Sequence, residues 1–99
     1  KKYPKGYTLN LRLGWLFYLD KKYSNAIKYY KKASLINGYA LDPKLGLINV
    51  YLTTERFKEA EVVAYELLKV DYYNYYANLY MVKALIAQAK YKTATKIIN

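Results

Sequence analysis

The chain has 99 residues, enough for one small domain, and 55% of them are hydrophobic, ample for burying a core. It contains no cysteine and no histidine, which removes disulfides, thiolate metal sites and the commonest general base; no apolar run approaches the roughly 18 residues that span a bilayer. The formal net charge of +10 makes nucleic acid and anionic membranes partners to be weighed.

Residues 1–6 read as an N-terminal linker. From Thr8 to about Asp20 the residues Leu9, Leu13, Leu16 and Phe17 recur at helical spacing and predict a helix with that face inward. Asp20-Lys21-Lys22 is a polar break, after which a helix from about Tyr23 to Ser34 carries Ala26, Ile27, Tyr30 and Ala33 on one face. Asn37-Gly38 is expected to end it, because both residues tolerate the left-handed conformation. Asp42 reads as the N-cap of a third helix with Pro43 in its first turn, where a missing N–H costs nothing. That helix runs to about Thr53, Thr54-Glu55-Arg56 turns the chain, and a fourth helix follows to about Val70. Asp71 to Asn74 forms the last connector, and helices near 75–89 and 91–99 bring the expected number to six. No long stretch alternates with period two, so strands are not expected.

The chain also repeats itself every 34 residues. Ala26, Ala60 and Ala94 keep that step, as do Tyr23, Phe57 and Tyr91, and Leu13, Leu47 and Met81. Phe17, Tyr51 and Leu85 follow it too, with Leu16, Val50 and Ala84. A fixed period of this size implies stacked units that cannot bury their apolar faces alone. The units are 7–40, 41–74 and a truncated third, 75–99.

These residues resemble the tetratricopeptide repeat (TPR) family, whose unit is 34 residues and two helices. The first unit matches its pattern with Leu13-Gly14, Phe17, Ala26, Tyr30 and Ala33. The second offers Leu47-Ile48, Tyr51, Ala60, Ala64 and Leu67, and the third Met81-Val82, Leu85, Ala94 and Ile98. Gly38 and Tyr72 stand where the family usually has a proline, and Asn10, Lys44 and Asn78 where it has an early tryptophan. The resemblance implies an all-α fold, a right-handed superhelical solenoid of antiparallel helix pairs. A pentatricopeptide RNA-binding unit would favour 35 residues, and HEAT or armadillo units are longer still. Because the chain begins at Lys1 with no visible leader, it is expected to be a piece of a longer protein.

Close helix crossings need short side chains. Ala26, Ala60 and Ala94, with Gly14, fit that requirement, and Phe17, Tyr51, Tyr23, Phe57 and Tyr91 are suited to fill the space around them. Ala26, Ala60 and Phe17 are therefore expected to be fully buried.

Catalytic chemistry has little to work with. Seven carboxylates are present: Asp20, Asp42, Glu55, Glu59, Glu61, Glu66 and Asp71. Glu55 and Glu59 sit four apart, but Arg56 and Lys58 lie between them, which points to a solvated mixed-charge face on a helix. There is no Gly-rich phosphate loop and no nucleophile elbow. No catalytic, metal or cofactor site is assigned, and the chain is not expected to be an enzyme.

The charge is uneven. Residues 1–40 carry nine Lys or Arg against Asp20, a net +8, whereas 41–74 carry four against six, a net −2. Lys28, Lys31 and Lys32 form a stripe on the second helix, backed by Lys21 and Lys22. Only two of the seventeen cations are Arg, although base and phosphate recognition favours arginine forks. A solvated face is the preferred reading, so nucleic acid and membrane surfaces are disfavoured partners.

In TPR proteins the first helix of each unit lines a concave groove. The matching positions make a peptide-binding groove of Arg12, Trp15, Tyr18, Asn49, Tyr76, Tyr80 and Lys83, with Thr8, Leu11, Leu19, Asp42, Leu45, Gly46, Leu52, Thr53, Leu79, Ile86 and Ala87 also in the lining. Trp15, Tyr18, Tyr76 and Tyr80 are the candidate anchors, since aromatic rings dominate binding hot spots. Asn49 offers a hydrogen bond to a peptide backbone, and Arg12 and Lys83 favour acidic character. The alternative for Trp15 is burial between neighbouring first helices, near Asn49. One TPR subclass clamps chaperone-tail carboxylates with Lys, Asn and Arg; the matching Leu11, Trp15, Gly46, Tyr76 and Tyr80 lack that chemistry. The expected function is a non-catalytic scaffold for a protein or peptide partner. A structural stacking role is the alternative, with self-association through the C-terminal helix, whose Ala94, Ile97 and Ile98 have no following helix to cover them.

Overall fold

The computed structural model describes residues 5–98, with side chains described for 5–90. Five α-helices follow one another: α1 (Tyr7–Leu19), α2 (Tyr23–Ile36), α3 (Asp42–Thr53), α4 (Phe57–Val70) and α5 (Tyr75–Ile98). No strand occurs among the described residues. Each helix packs on its chain neighbours, and α3 also touches both α1 and α5. The contacts between α1 and α2 run in opposite directions along the two helices. Tyr18 meets Tyr23, Gly14 lies beneath Tyr30, and Gly6 approaches Ile36.

The 34-residue period is present in the backbone as well as the sequence. Helices α2 and α4 have equal lengths of 14 residues and begin 34 apart. Lys21 and Glu55, also 34 apart, both adopt φ of 61°. At the first turn Lys22 N–H donates to the Phe17 carbonyl at 2.9 Å and Lys21 N–H to the Tyr18 carbonyl at 3.0 Å. At the second, Arg56 N–H reaches Tyr51 at 2.7 Å and Glu55 N–H reaches Leu52 at 3.1 Å. This paired closure caps a helix through one left-handed residue, usually glycine. Here a lysine and a glutamate hold that strained conformation.

Two expectations about helix ends are corrected. Asn37 ends α2 at φ −136° and ψ 89°, an extended conformation matched by Asp71 after α4 at −137° and 86°; neither is left-handed. The N-cap of α3 is Leu41 rather than Asp42, which is already helical and makes no capping bond; Pro43 does sit in the first turn. A side-chain cap appears instead at Asn74, whose Oδ1 accepts from Ala77 N–H at 2.8 Å.

The largest correction concerns the expected fifth and sixth helices, which form a single 24-residue helix, α5. The counterpart of Lys21 and Glu55 in the 34-residue register is Ala89, which stays helical. The reason lies in composition. Asp20 and Thr54 precede the two turns, whereas Gln88-Ala89-Lys90 are all good helix formers. Gln88 also donates to Glu61 at 2.8 Å, tying α5 to α4.

The core lies between α2, α3, α4 and α5, the last contributing the fully buried Ala77 and Ala84. Ala26, Ala33, Ala60 and Ala64 are fully buried and let the helices approach, with Ile48, Val50 and Leu67 filling the volume between them. Phe17 is only half-buried and stacks on Tyr29 with ring centroids 5.4 Å apart. Leu9 and Leu16, expected inward, are each more than half exposed, while their counterparts Pro43 and Val50 are buried. No described helix precedes α1 to cover that face.

Candidate functional site

Helices α1 and α3 lie side by side, with the Tyr30 ring from α2 packed against both. A Cβ on Gly14 would come within 2.7 Å of that ring, and one on Gly46 within 2.5 Å. Two glycines thus give one tyrosine its place, and Gly46 acts as a packing position rather than simply a groove lining. Tyr30 is almost completely buried, which raises its phenol to a pKa of about 12, with the nearby Tyr18 phenol adding to the shift.

Above Tyr30 is an open depression of 350 Å³, lined by Leu11, Arg12, Trp15, Tyr30 and Asp42. Trp15 stands on its wall with 55% of its surface exposed, so the indole is not packed between first helices. Arg12 and Asp42 are exposed and form no ion pair with another described residue. The lining therefore combines a large apolar surface with one charge of each sign, neither paired with another described residue.

The other candidate residues fall into two further groups. Tyr18 and Thr53 meet across α1 and α3 at 3.1 Å, and Thr53 Oγ1 donates to the Asn49 carbonyl at 2.8 Å. That leaves Tyr18 as the donor to Thr53. The Asn49 carboxamide makes no hydrogen bond to another described residue and is half-buried. On α5, the Tyr76 and Tyr80 rings lie 6.5 Å apart, and Lys83 Nζ sits 5.6 Å from the Tyr80 ring centroid. No hydrogen bond or ring contact among the described residues links this α5 group to Trp15 or Arg12; α3 lies between them. A second depression, of 410 Å³, lies on another face of α5, lined by Tyr73, Tyr75, Asn78, Leu79 and Val82.

Several charged residues outside these groups are engaged locally. Arg56 grips Glu59 with two bonds of 2.7 and 2.6 Å, which hold its guanidinium above its ordinary pKa. Glu55 lies in the turn rather than on the helix, so it and Glu59 form no carboxylate pair there. In the basic stripe, Lys28 and Lys32 Nζ lie 5.6 and 5.2 Å from the Tyr29 ring centroid. Among the described residues there is no cluster of three or more potential metal ligands, and no helix is long and apolar enough to cross a membrane.

Tyr30 is the residue that sequence reasoning placed only in the core. The available signal was the pair Gly14 and Gly46, small residues on two different helices with no turn to explain them. No protein-family model, curated protein or solved structure matches this chain.

Proposed function

We propose that the chain is a TPR-type segment, a right-handed solenoid of antiparallel helix pairs, that serves as a non-catalytic scaffold and binds a peptide across α1, α3 and α5. The observation that carries this reading is Trp15, half-exposed on the wall of a depression whose floor is the rigid Tyr30 ring. A large, partly exposed ring on the wall of a depression, beside charges that pair with no other described residue, is suited to act as a binding anchor. Arg12 and Asp42 supply oriented polar contacts, the free Asn49 carboxamide is suited to a peptide backbone, and Tyr76, Tyr80 and Lys83 extend the surface to α5. The net charge of +10 favours partners with acidic character.

The test is a screen of random peptides immobilised on an array, followed by titration of each hit against Trp15 emission. Trp15 is the only tryptophan, so its emission reports on this surface alone. Binding should shift it to the blue, and Trp15→Ala should abolish capture. Hits that bind without altering Trp15 emission would place recognition elsewhere.

A further inference from the structure

We propose that the outer face of α1 is a second docking site, separate from the Trp15 depression, for one acidic amphipathic helix of a partner protein. Leu9, Leu13 and Leu16 follow one another at i, i+4 and i+7, so they share a face. Leu9 is 62% and Leu16 54% exposed, and Leu13 is half-buried. The same positions are buried at Pro43, Leu47 and Val50 in α3, and at Ala77 and Ala84 in α5. Within the chain, what packs on those two helices is a helix: α2 on α3 and α4 on α5, each of 14 residues. With 13 residues, α1 offers a bed of matching length. The self-association expected through Ala94, Ile97 and Ile98 concerns side chains outside those described.

Charge identifies the occupant. Tyr30 of α2 lies against Gly46 of α3, and the counterpart of Gly46 on α1 is Arg12, exposed and paired with no other described residue. Where α2 sets a ring on α3, a helix laid on α1 therefore meets a guanidinium. The opposite border of the leucine face is Phe17, stacked on Tyr29 at 5.4 Å. Beyond it, Lys28 and Lys32 Nζ lie 5.6 and 5.2 Å from the Tyr29 ring centroid. Their second-unit counterparts are Val62 and Glu66, so that unit lacks this cationic border. An apolar stripe with cations on both sides complements a helix whose own apolar stripe is edged by carboxylates. A second copy is disfavoured as occupant, because pairing the face with itself sets residues 1–40, net +8, against their like.

The test presents the whole chain to a displayed library of peptides of about 20 residues, long enough to hold a helix, with leucine and alanine on one face and every other position random. Selected peptides should be enriched in Asp and Glu beside the apolar face. Lys28→Glu/Lys32→Glu and, separately, Leu9→Gln/Leu16→Gln should each weaken their binding at least roughly tenfold, and rising salt should weaken it too. All four positions are exposed, so the fold tolerates these changes. Trp15→Ala should leave this binding unchanged; peptides lost with Trp15→Ala but kept by Leu9→Gln/Leu16→Gln occupy the groove instead. A selection that yields no binder sensitive to Leu9→Gln/Leu16→Gln, or such binders without acidic enrichment, would overturn the proposal. A homodimer abolished by Leu9→Gln/Leu16→Gln would assign the face to a second copy and equally overturn it. So would adsorption to phosphatidylserine–phosphatidylcholine vesicles lost with the same change, which would make the face a membrane contact.

Discussion

The ring of Tyr30 lies directly over Gly14, close enough that a Cβ on the glycine would sit 2.7 Å from a ring carbon. One period later the same two positions hold Ile48 and Ala64, both fully buried. The large residue has moved from one helix to the other while the crossing is kept. Gly14→Ala should therefore cost about 1–3 kcal/mol, since the buried ring has little room to yield. Gly14→Ile combined with Tyr30→Ala should be markedly more stable than the sum of the two single changes predicts. Urea unfolding of the four proteins measures this coupling, and strict additivity would show that the residues do not share one space.

Burial of Tyr30 also sets a pH dependence. Its folded pKa of about 12 lies above the ordinary value of 10.0, so the unfolded chain loses this proton first. The stabilising contribution is complete below pH 10 and is lost as pH rises from there toward 12. The loss should be on the order of 1–2 kcal/mol, superimposed on lysine titration. Tyr30→Phe should remove this part of the slope, and its absorbance titration near 295 nm should lack one late-ionising tyrosine.

Lys21 and Glu55 hold the left-handed conformation without being glycine. Lys21→Gly and Glu55→Gly should each stabilise the protein, by up to about 1 kcal/mol after the added chain entropy of glycine is subtracted. Thermal melting of both variants checks this. Both changes lie in exposed turns outside the candidate groove, so peptide capture should persist.

For a captured peptide, Trp15→Ala should cost roughly 2 kcal/mol or more in affinity. Reversing Lys28, Lys31 and Lys32 to Glu should change that affinity by less than roughly tenfold, because the stripe is a separate, solvent-screened face. A partner lost by the charge reversal and by added salt, but indifferent to Trp15→Ala, would instead be an anionic ligand of the stripe.

Ala26→Leu addresses the closest packing of α2. Ala26 has no exposed surface, so three added carbons must displace neighbours at a cost of about 1–3 kcal/mol. An unchanged melting temperature would contradict the burial.

Much of the fold was legible before any coordinates. The recurrence of Ala26 and Ala60 identifies where helices cross closely, and the apolar spacing places α2 and α4 to within two residues at either end. The candidate groove was less legible. Arg12, Trp15 and Tyr18 follow from a repeating pattern, but their exposure does not, because periodicity marks an apolar face without saying what lies opposite it. Leu9 and Leu16 show the same limit: identical in period to Pro43 and Val50, they are bare because nothing described packs ahead of α1.

By itself, the sequence determined that the chain is helical and built on a 34-residue period, because hydrophobic spacing and small residues act locally and repeat. Only the tertiary structure decided that Tyr30 becomes the floor of the α1–α3 depression, since its place depends on glycines from two other helices. Only the tertiary structure decided, too, that the third unit runs straight through Ala89. Helix propensity and the Gln88–Glu61 bond favour continuation there, and no left-handed residue intervenes to reverse the chain.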